Sequence, residues 1–288
     1  MKKHLLFLLF IIFSECTESN LAFHPGTNTS DGILKLVKNF GGSKNDVAKS
    51  VVSTLDGGFA VLGYTQSIDG DVTDKATEDY DFWMLKFDSE AQLEWNKTYG
   101  GSGDDRGSSI IETSDGGYAL LGYSDSTDGD VSSNNGNRDF WLVKITASGV
   151  LTWQKSFGYE GLDEGVSVIE TSDNHLMLSG VLDVTASGGE GNQGRLYNRH
   201  AGGDYWSIKI TPTGDIVWSR FYGGTFTDSP TGIKETLNDG FISVGGSDSN
   251  DVDISNNKGS YDFWIVKSNL NGDIVWEKSF GGSEIDEA

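Results

Sequence analysis

The chain has 288 residues, 43 acidic against 21 basic, and its net charge of −22 repels phosphate backbones and excludes nucleic acid as a partner. Its 39 glycines argue against helices of useful length, and aromatic residues at 11%, spread throughout, argue against disorder, which leaves an all-β chain. The single cysteine excludes an intrachain disulfide, so packing, with or without bound ions, must hold the fold.

The N-terminus reads MKKHLLFLLFIIFSEC. Lys2 and Lys3 precede an apolar run from Leu5 to Phe13. That run is shorter than the roughly 20 residues a spanning helix needs, and it matches an export signal over residues 1–16. Cys16 resembles the lipidated cysteine of bacterial lipoproteins, with Ser14 at a permissive position. Glu15 departs from the small residue usual there. The resemblance implies an outer-membrane or cell-surface lipoprotein that touches the membrane only through that lipid. Ordinary cleavage nearby would instead give a secreted protein with Cys16 incidental. Residues 17–32 are polar and aperiodic, and read as a flexible tether.

Residues 33–288 repeat. An aromatic-Gly phrase begins at Phe40, Tyr99, Phe157, Tyr222 and Phe280, at intervals of 59, 58, 65 and 58. An Asp-aromatic-Trp phrase begins at Asp81, Asp139, Asp204 and Asp262 and keeps the same spacing. All eight tryptophans fall in two registers, Trp83, Trp141, Trp206 and Trp264 in one, Trp95, Trp153, Trp218 and Trp276 in the other. The units run over 41–99, 100–157, 158–222 and 223–280, and the start of a fifth covers 281–288.

Each unit divides into four strands. In the second unit these are GSSIIETS, ended by Asp115-Gly116-Gly117, then YALLGYS, then DFWLVKIT after a long polar loop, and finally VLTWQKSF. The third strand selects the architecture. In DFWMLKF, Trp83, Leu85 and Phe87 lie on one face and Phe82 and Met84 on the other, so both faces of the sheet are apolar. A two-layer sandwich would leave one face polar. Short four-stranded antiparallel sheets covered on both sides predict a β-propeller, with an elongated β-solenoid as the alternative. The stretch ILKLVKNF, from Ile33, copies the fourth-strand pattern with Leu36 in place of Trp. Five fourth strands against four sets of strands one to three predict an incomplete ring, C-terminally truncated, in which FGGSEIDEA opens a further unit.

The succession GGSxxD, DGGY/F, DxWLVK and WxKxFGG resembles the long-blade β-propeller repeats of secreted and surface bacterial proteins. That resemblance implies the fold over residues 33–288. For function it implies less, because such propellers serve catalysis, binding and scaffolding alike, and some carry an endoglucanase label.

Several residue sets are candidates for function. Asp46, Asp105, Asp163, Asp228 and Asp286 each stand six residues after the phrase's aromatic, where a short acceptor can hold the N–H groups of a turn between units. Recurrence in every unit points to a structural role for these and for the Trp registers. Lys86, Lys144, Lys209 and Lys267 follow the Asp-aromatic-Trp aspartates at a five-residue offset, opposite in face, so they are expected to pair between blades or cap strand ends. The loops between second and third strands carry Asp69 and Asp71, Asp128 and Asp130, and Asp251 and Asp253, oxygen-rich clusters of the kind calcium needs, though not at EF-hand spacing. Solvated loops are the alternative. The third unit's loop from Leu182 is seven residues longer and gathers Arg195, Tyr197, Arg199 and His200 in an otherwise acidic chain, which marks a ligand-binding segment.

No catalytic constellation emerges from the histidines, and no phosphate loop is present. The sequence thus predicts a non-catalytic module that binds a polysaccharide or a surface protein. The alternatives are a glycan-active hydrolase, or an accessory part of one, and a structural spacer.

Overall fold

The short runs between turn signals read above form strands. The computed structural model describes residues 37–192, 199–237 and 239–286, and the chain divides into residues 1–39 and 40–288. Residues 40–288 hold four sheets, each of four strands in sequential order and each pair antiparallel. The first sheet contains β1 (Asp46–Ser53), β2 (Phe59–Thr65), β3 (Asp81–Phe87) and β4 (Leu93–Tyr99). The second contains β5 (Asp105–Glu112), β6 (Tyr118–Ser124), β7 (Asp139–Ile145) and β8 (Leu151–Phe157). The third contains β9 (Glu164–Glu170), β10 (Leu176–Asp183), β11 (Gly203–Ile210) and β12 (Ile216–Tyr222), with a one-turn helix α1 (Val184–Ser187) between β10 and β11. The fourth contains β13 (Asp228–Thr236), β14 (Gly240–Ser247), β15 (Asp262–Ser268) and β16 (Ile274–Phe280).

The sheets stack in chain order, with β1 on β5, β5 on β9 and β9 on β13. Aromatic pairs tie each sheet to the next. Phe82 meets Trp141 at 4.7 Å, Phe140 meets Trp206 at 5.0 Å and Tyr205 meets Trp264 at 4.8 Å, all edge-on or tilted as the ring quadrupoles prefer. A backbone link recurs beside them, since the Leu55 N–H donates to Glu112, Ser114 to Glu170 and Ser172 to Glu235. The strands of the second unit appear where the sequence placed them, except that the first begins two residues earlier, at Asp105.

Every first strand carries a bulge, for example between Gly107 and Ser109. The facing second-strand glycine makes room for it. A Cβ on Gly122 would run into the Arg106 carbonyl oxygen and stand 2.8 Å from the Phe82 ring, and Gly63, Gly180 and Gly245 meet the same obstacle in the other sheets. In β13 the irregularity lies between Pro230 and Gly232, on an edge strand, where proline is tolerated.

The array is a β-propeller-like stack of four blades that does not close on itself. One open face is the outer face of the fourth sheet. Tyr99, Phe157 and Tyr222 end their fourth strands 1–4% exposed beneath the next sheet, whereas Phe280 is 51% exposed. Trp276 is 40% exposed, against 7% for Trp218, which lies under the Gly272 turn of the following sheet. Of the stray strand expected over Ile33–Phe40, residues 33–36 lie outside the described residues and 37–40 form no strand.

Candidate functional site

The recurring aspartates gather at the junctions between sheets. The aromatic-Gly phrase must turn the chain from a fourth strand into the next first strand, which leaves its N–H groups without ladder partners. Carboxylates take them, three in each of the turns after Phe40, Tyr99 and Tyr222 and one in each of those after Phe157 and Phe280. Asp46, Asp105, Asp163, Asp228 and Asp286 accept from the N–H of Gly42, Gly101, Tyr159, Gly224 and Gly282 at 2.6–2.8 Å. Asp69, Asp128 and Asp251 accept from Ser43, Ser102 and Thr225 at 2.7–3.0 Å. Asp71, Asp130 and Asp253 accept from Gly41, Gly100 and Gly223, at 2.9, 3.3 and 3.4 Å. The six residues read as calcium ligands therefore hold backbone turns, and the third unit, which lacks the Asp-Gly-Asp phrase, uses Asp163 Oδ1 on Asp183 N–H instead.

A fourth carboxylate faces this turn from the preceding sheet. Asp81, Asp139, Asp204 and Asp262 open their third strands, are buried, and each has an Oδ1 with no hydrogen-bond partner. The other oxygen is engaged: Asp139 by Asn135 N–H, Asp262 by Lys258 N–H, Asp204 by His200 Nδ1 at 2.6 Å, and Asp81 by Lys75 Nζ at 3.0 Å. Glycine follows the phrase's aromatic for this reason. A Cβ on Gly100 would collide with Asp81 and come within 2.8 Å of Asp105 Oδ2, and one on Gly223 would lie 2.6 Å from both Asp204 Oδ1 and Asp228 Oδ2.

Burial dominates the electrostatics of these pairs. Desolvation pushes Asp81 and Asp163 up to about 7 and Asp139 and Asp228 up to about 6, with the like charge across the junction adding to Asp81 and Asp163. Asp204 goes furthest, to about 9, through burial and then through Asp228 and Asp253. Burial lowers His200 in turn.

An open cleft of about 340 Å³ lies at the junction of the first and second sheets, lined by Asp74, Lys75, Asp81, Thr98, Asp128 and Asp130 among others. Burial raises Asp130, and the nearby Asp74 raises it further.

The third unit's loop divides. Arg195 and Tyr197 lie outside the described residues, as does Cys16. Arg199 is exposed and reaches Asp251 of the fourth unit at 3.5 Å. His200 is buried, with its ring edge-on to Phe221 at 4.8 Å and Nε2 3.8 Å from Asp253, so it seals the junction of the third and fourth sheets.

Trp83, Trp141, Trp206 and Trp264 are core residues with satisfied indoles. Trp83, Trp141 and Trp264 donate to Asn96, Gln154 and Glu277 of the fourth strand at 2.9–3.0 Å. Trp206 finds Gly191 O in the long loop instead. The lysines pair inside their own sheets and not between blades: Lys86 with Asp56 and Glu94, Lys144 with Asp115, Lys209 with Asp173 and Lys267 with Asp239. Sequence reasoning missed those partners, although the aspartate recurs in every turn between first and second strands.

Against known proteins, the chain matches no family model, and no curated protein is similar to it.

Proposed function

We propose that the chain is an exported, non-catalytic binding or scaffolding module of the long-blade β-propeller kind that its motifs resemble, anchored through Cys16 where that residue is lipidated. Its partner is a polysaccharide or another surface protein. One observation carries the reading. The carboxylates, lysines and tryptophans that recur are absorbed by turns, sheets and junctions, whereas the third unit breaks the pattern with a segment of its own, α1 and the loop after it, ending at an exposed Arg199. Such a non-repeating loop on a rigid stack is where specific contact belongs.

The test replaces residues 184–199 with the shorter loop of the second unit and measures binding to immobilised bacterial surface glycans and surface proteins. The expected result is loss of retention with the melting temperature kept within a few degrees. Retention equal to that of the parent would remove the loop from the reading. Hydrolysis of a soluble glucan that is abolished by changing one non-repeating carboxylate would replace binding by catalysis.

A further inference from the structure

The residue before each third-strand aspartate serves the junctions through its backbone. Asp105 N–H donates to Tyr80 O at 2.7 Å, Asp163 N–H to Arg138 O at 2.8 Å and Asp286 N–H to Tyr261 O at 2.7 Å. The side chain there is free to vary, and the four units carry Tyr80, Arg138, Gly203 and Tyr261. The residue after the turn aspartate varies as widely, through Val47, Arg106, Glu164 and Ser229.

The first three sheets nevertheless join these positions into one layer. The Arg106 guanidinium lies 4.1 Å over the Tyr80 ring and 5.0 Å from that of Tyr64, and the Arg138 guanidinium lies 4.4 Å over Tyr123. Asp104 stands between the two arginines, 2.6 Å from Arg106 Nε and 3.5 Å from Arg138 Nη2. Glu164 accepts from Arg138 Nη1 at 2.6 Å, and Asn45 Nδ2 donates to the Tyr80 hydroxyl at 3.0 Å.

Joining the sheets does not require this layer. The junction of the third and fourth sheets has Val181, Gly203 and Ser229 where the first junction has Tyr64, Tyr80 and Arg106. The Arg106 and Arg138 side chains are 30% and 29% exposed, and ion pairs so open to water add little to stability. Arginine has five N–H donors, yet among the described residues Arg106 spends only Nε on the protein. Glu164 likewise leaves Oε2 open. Stacked flat groups, edged by unspent donors and acceptors, thus face the solvent at one place only.

We propose that this layer binds a neutral saccharide chain. Sugar C–H groups pack against aromatic and guanidinium faces, while a vicinal pair of hydroxyls donates to a carboxylate and accepts from a guanidinium. An anionic glycan is disfavoured, because each guanidinium already has a carboxylate partner and the chain carries a net charge of −22. The proposal rests on the glycan-binding reading above for its ligand class, but on different residues from the loop.

The experiment is affinity electrophoresis of the full chain through gels holding a soluble neutral glucan, mannan or xylan, with polygalacturonate as the anionic probe. Variants are Tyr80→Gly and Arg106→Ser, which install the residues of the third and fourth units, and Arg106→Lys, which keeps the charge without the flat face. At least one neutral glycan is expected to retard the parent, and each variant to weaken that binding at least tenfold with the melting temperature kept within a few degrees. Full binding by Tyr80→Gly and Arg106→Ser would overturn the proposal, as would no retardation by any neutral glycan or stronger retardation by polygalacturonate. Loss of binding in step with a fall in melting temperature would make the layer a staple between sheets and overturn it too. The loop replacement separates the two readings: retardation lost there but kept in Arg106→Ser sinks this proposal alone, and the reverse supports it and removes glycan from the loop.

Discussion

Trp218→Ala is expected to cost about 3–5 kcal/mol, and Trp276→Ala less than about 1 kcal/mol, although both residues stand at the same place in their units. Trp218 is 7% exposed, lies beneath the Gly272 turn, and donates from Nε1 to Leu270 O at 3.0 Å. Its removal leaves a cavity between the third and fourth sheets and an orphaned carbonyl. Among the described residues no sheet covers Trp276, which is 40% exposed. Urea denaturation of the two variants checks this through their midpoints at equal slope. Equal losses would mean that another surface covers Trp276 in solution, and the fourth sheet would then not be the open end of the stack.

The second large effect is a pH dependence. Asp81, Asp139, Asp163, Asp204 and Asp228 all have pKa values raised in the folded chain, to about 7, 6, 7, 9 and 6, against ordinary values near 4 when unfolded. The folded state therefore binds more protons than the unfolded state from about pH 4 upward, so stability falls as pH rises. The loss accumulates through the folded values, mostly between pH 5 and 9. His200 opposes it weakly, because burial lowers its pKa and acid must charge it at a cost. The melting temperature at pH 8.5 is expected to lie on the order of 10 °C below that at pH 5.5, from a few kcal/mol spread over a chain this long. Differential scanning calorimetry in the presence of chelator checks it. A flat profile would show that the junction carboxylates are neutralised by something other than protons.

Much of the fold was legible because two local signals coincide. Short runs of β-branched, aliphatic and aromatic residues mark the strands, and glycine-bearing turns mark their ends. Apolar residues on both faces of Asp81–Phe87 then require cover on both sides. The second sheet covers Phe82 and Met84, and Trp83, Leu85 and Phe87 pack against Phe40 and against Phe59, Val61, Val72 and Leu93 of their own unit. The junction chemistry was less legible. Asp81 and Asp105 belong to different sheets, and only the stacking brings them to one glycine. The lysine partners show the same limit at shorter range. Lys86 was expected to pair between blades or to cap a strand end. It caps β3 through Phe87 O, and the antiparallel order sets the turn between β1 and β2 beside it, which presents Asp56 at 2.8 Å. His200 looked like a surface contact because its neighbours in sequence are polar. It is drawn inward by Asp204 and Phe221, which no local pattern announces.

The carboxylate-bound turns bear on how the chain acquires this shape. The aromatic-Gly turn after Tyr99 is secured by residues that follow it in its own unit, Asp105 and Asp128, and lies against the aspartate that opens the preceding third strand. A unit emerging during synthesis can therefore complete its entry turn only after its second-to-third loop has folded back upon it.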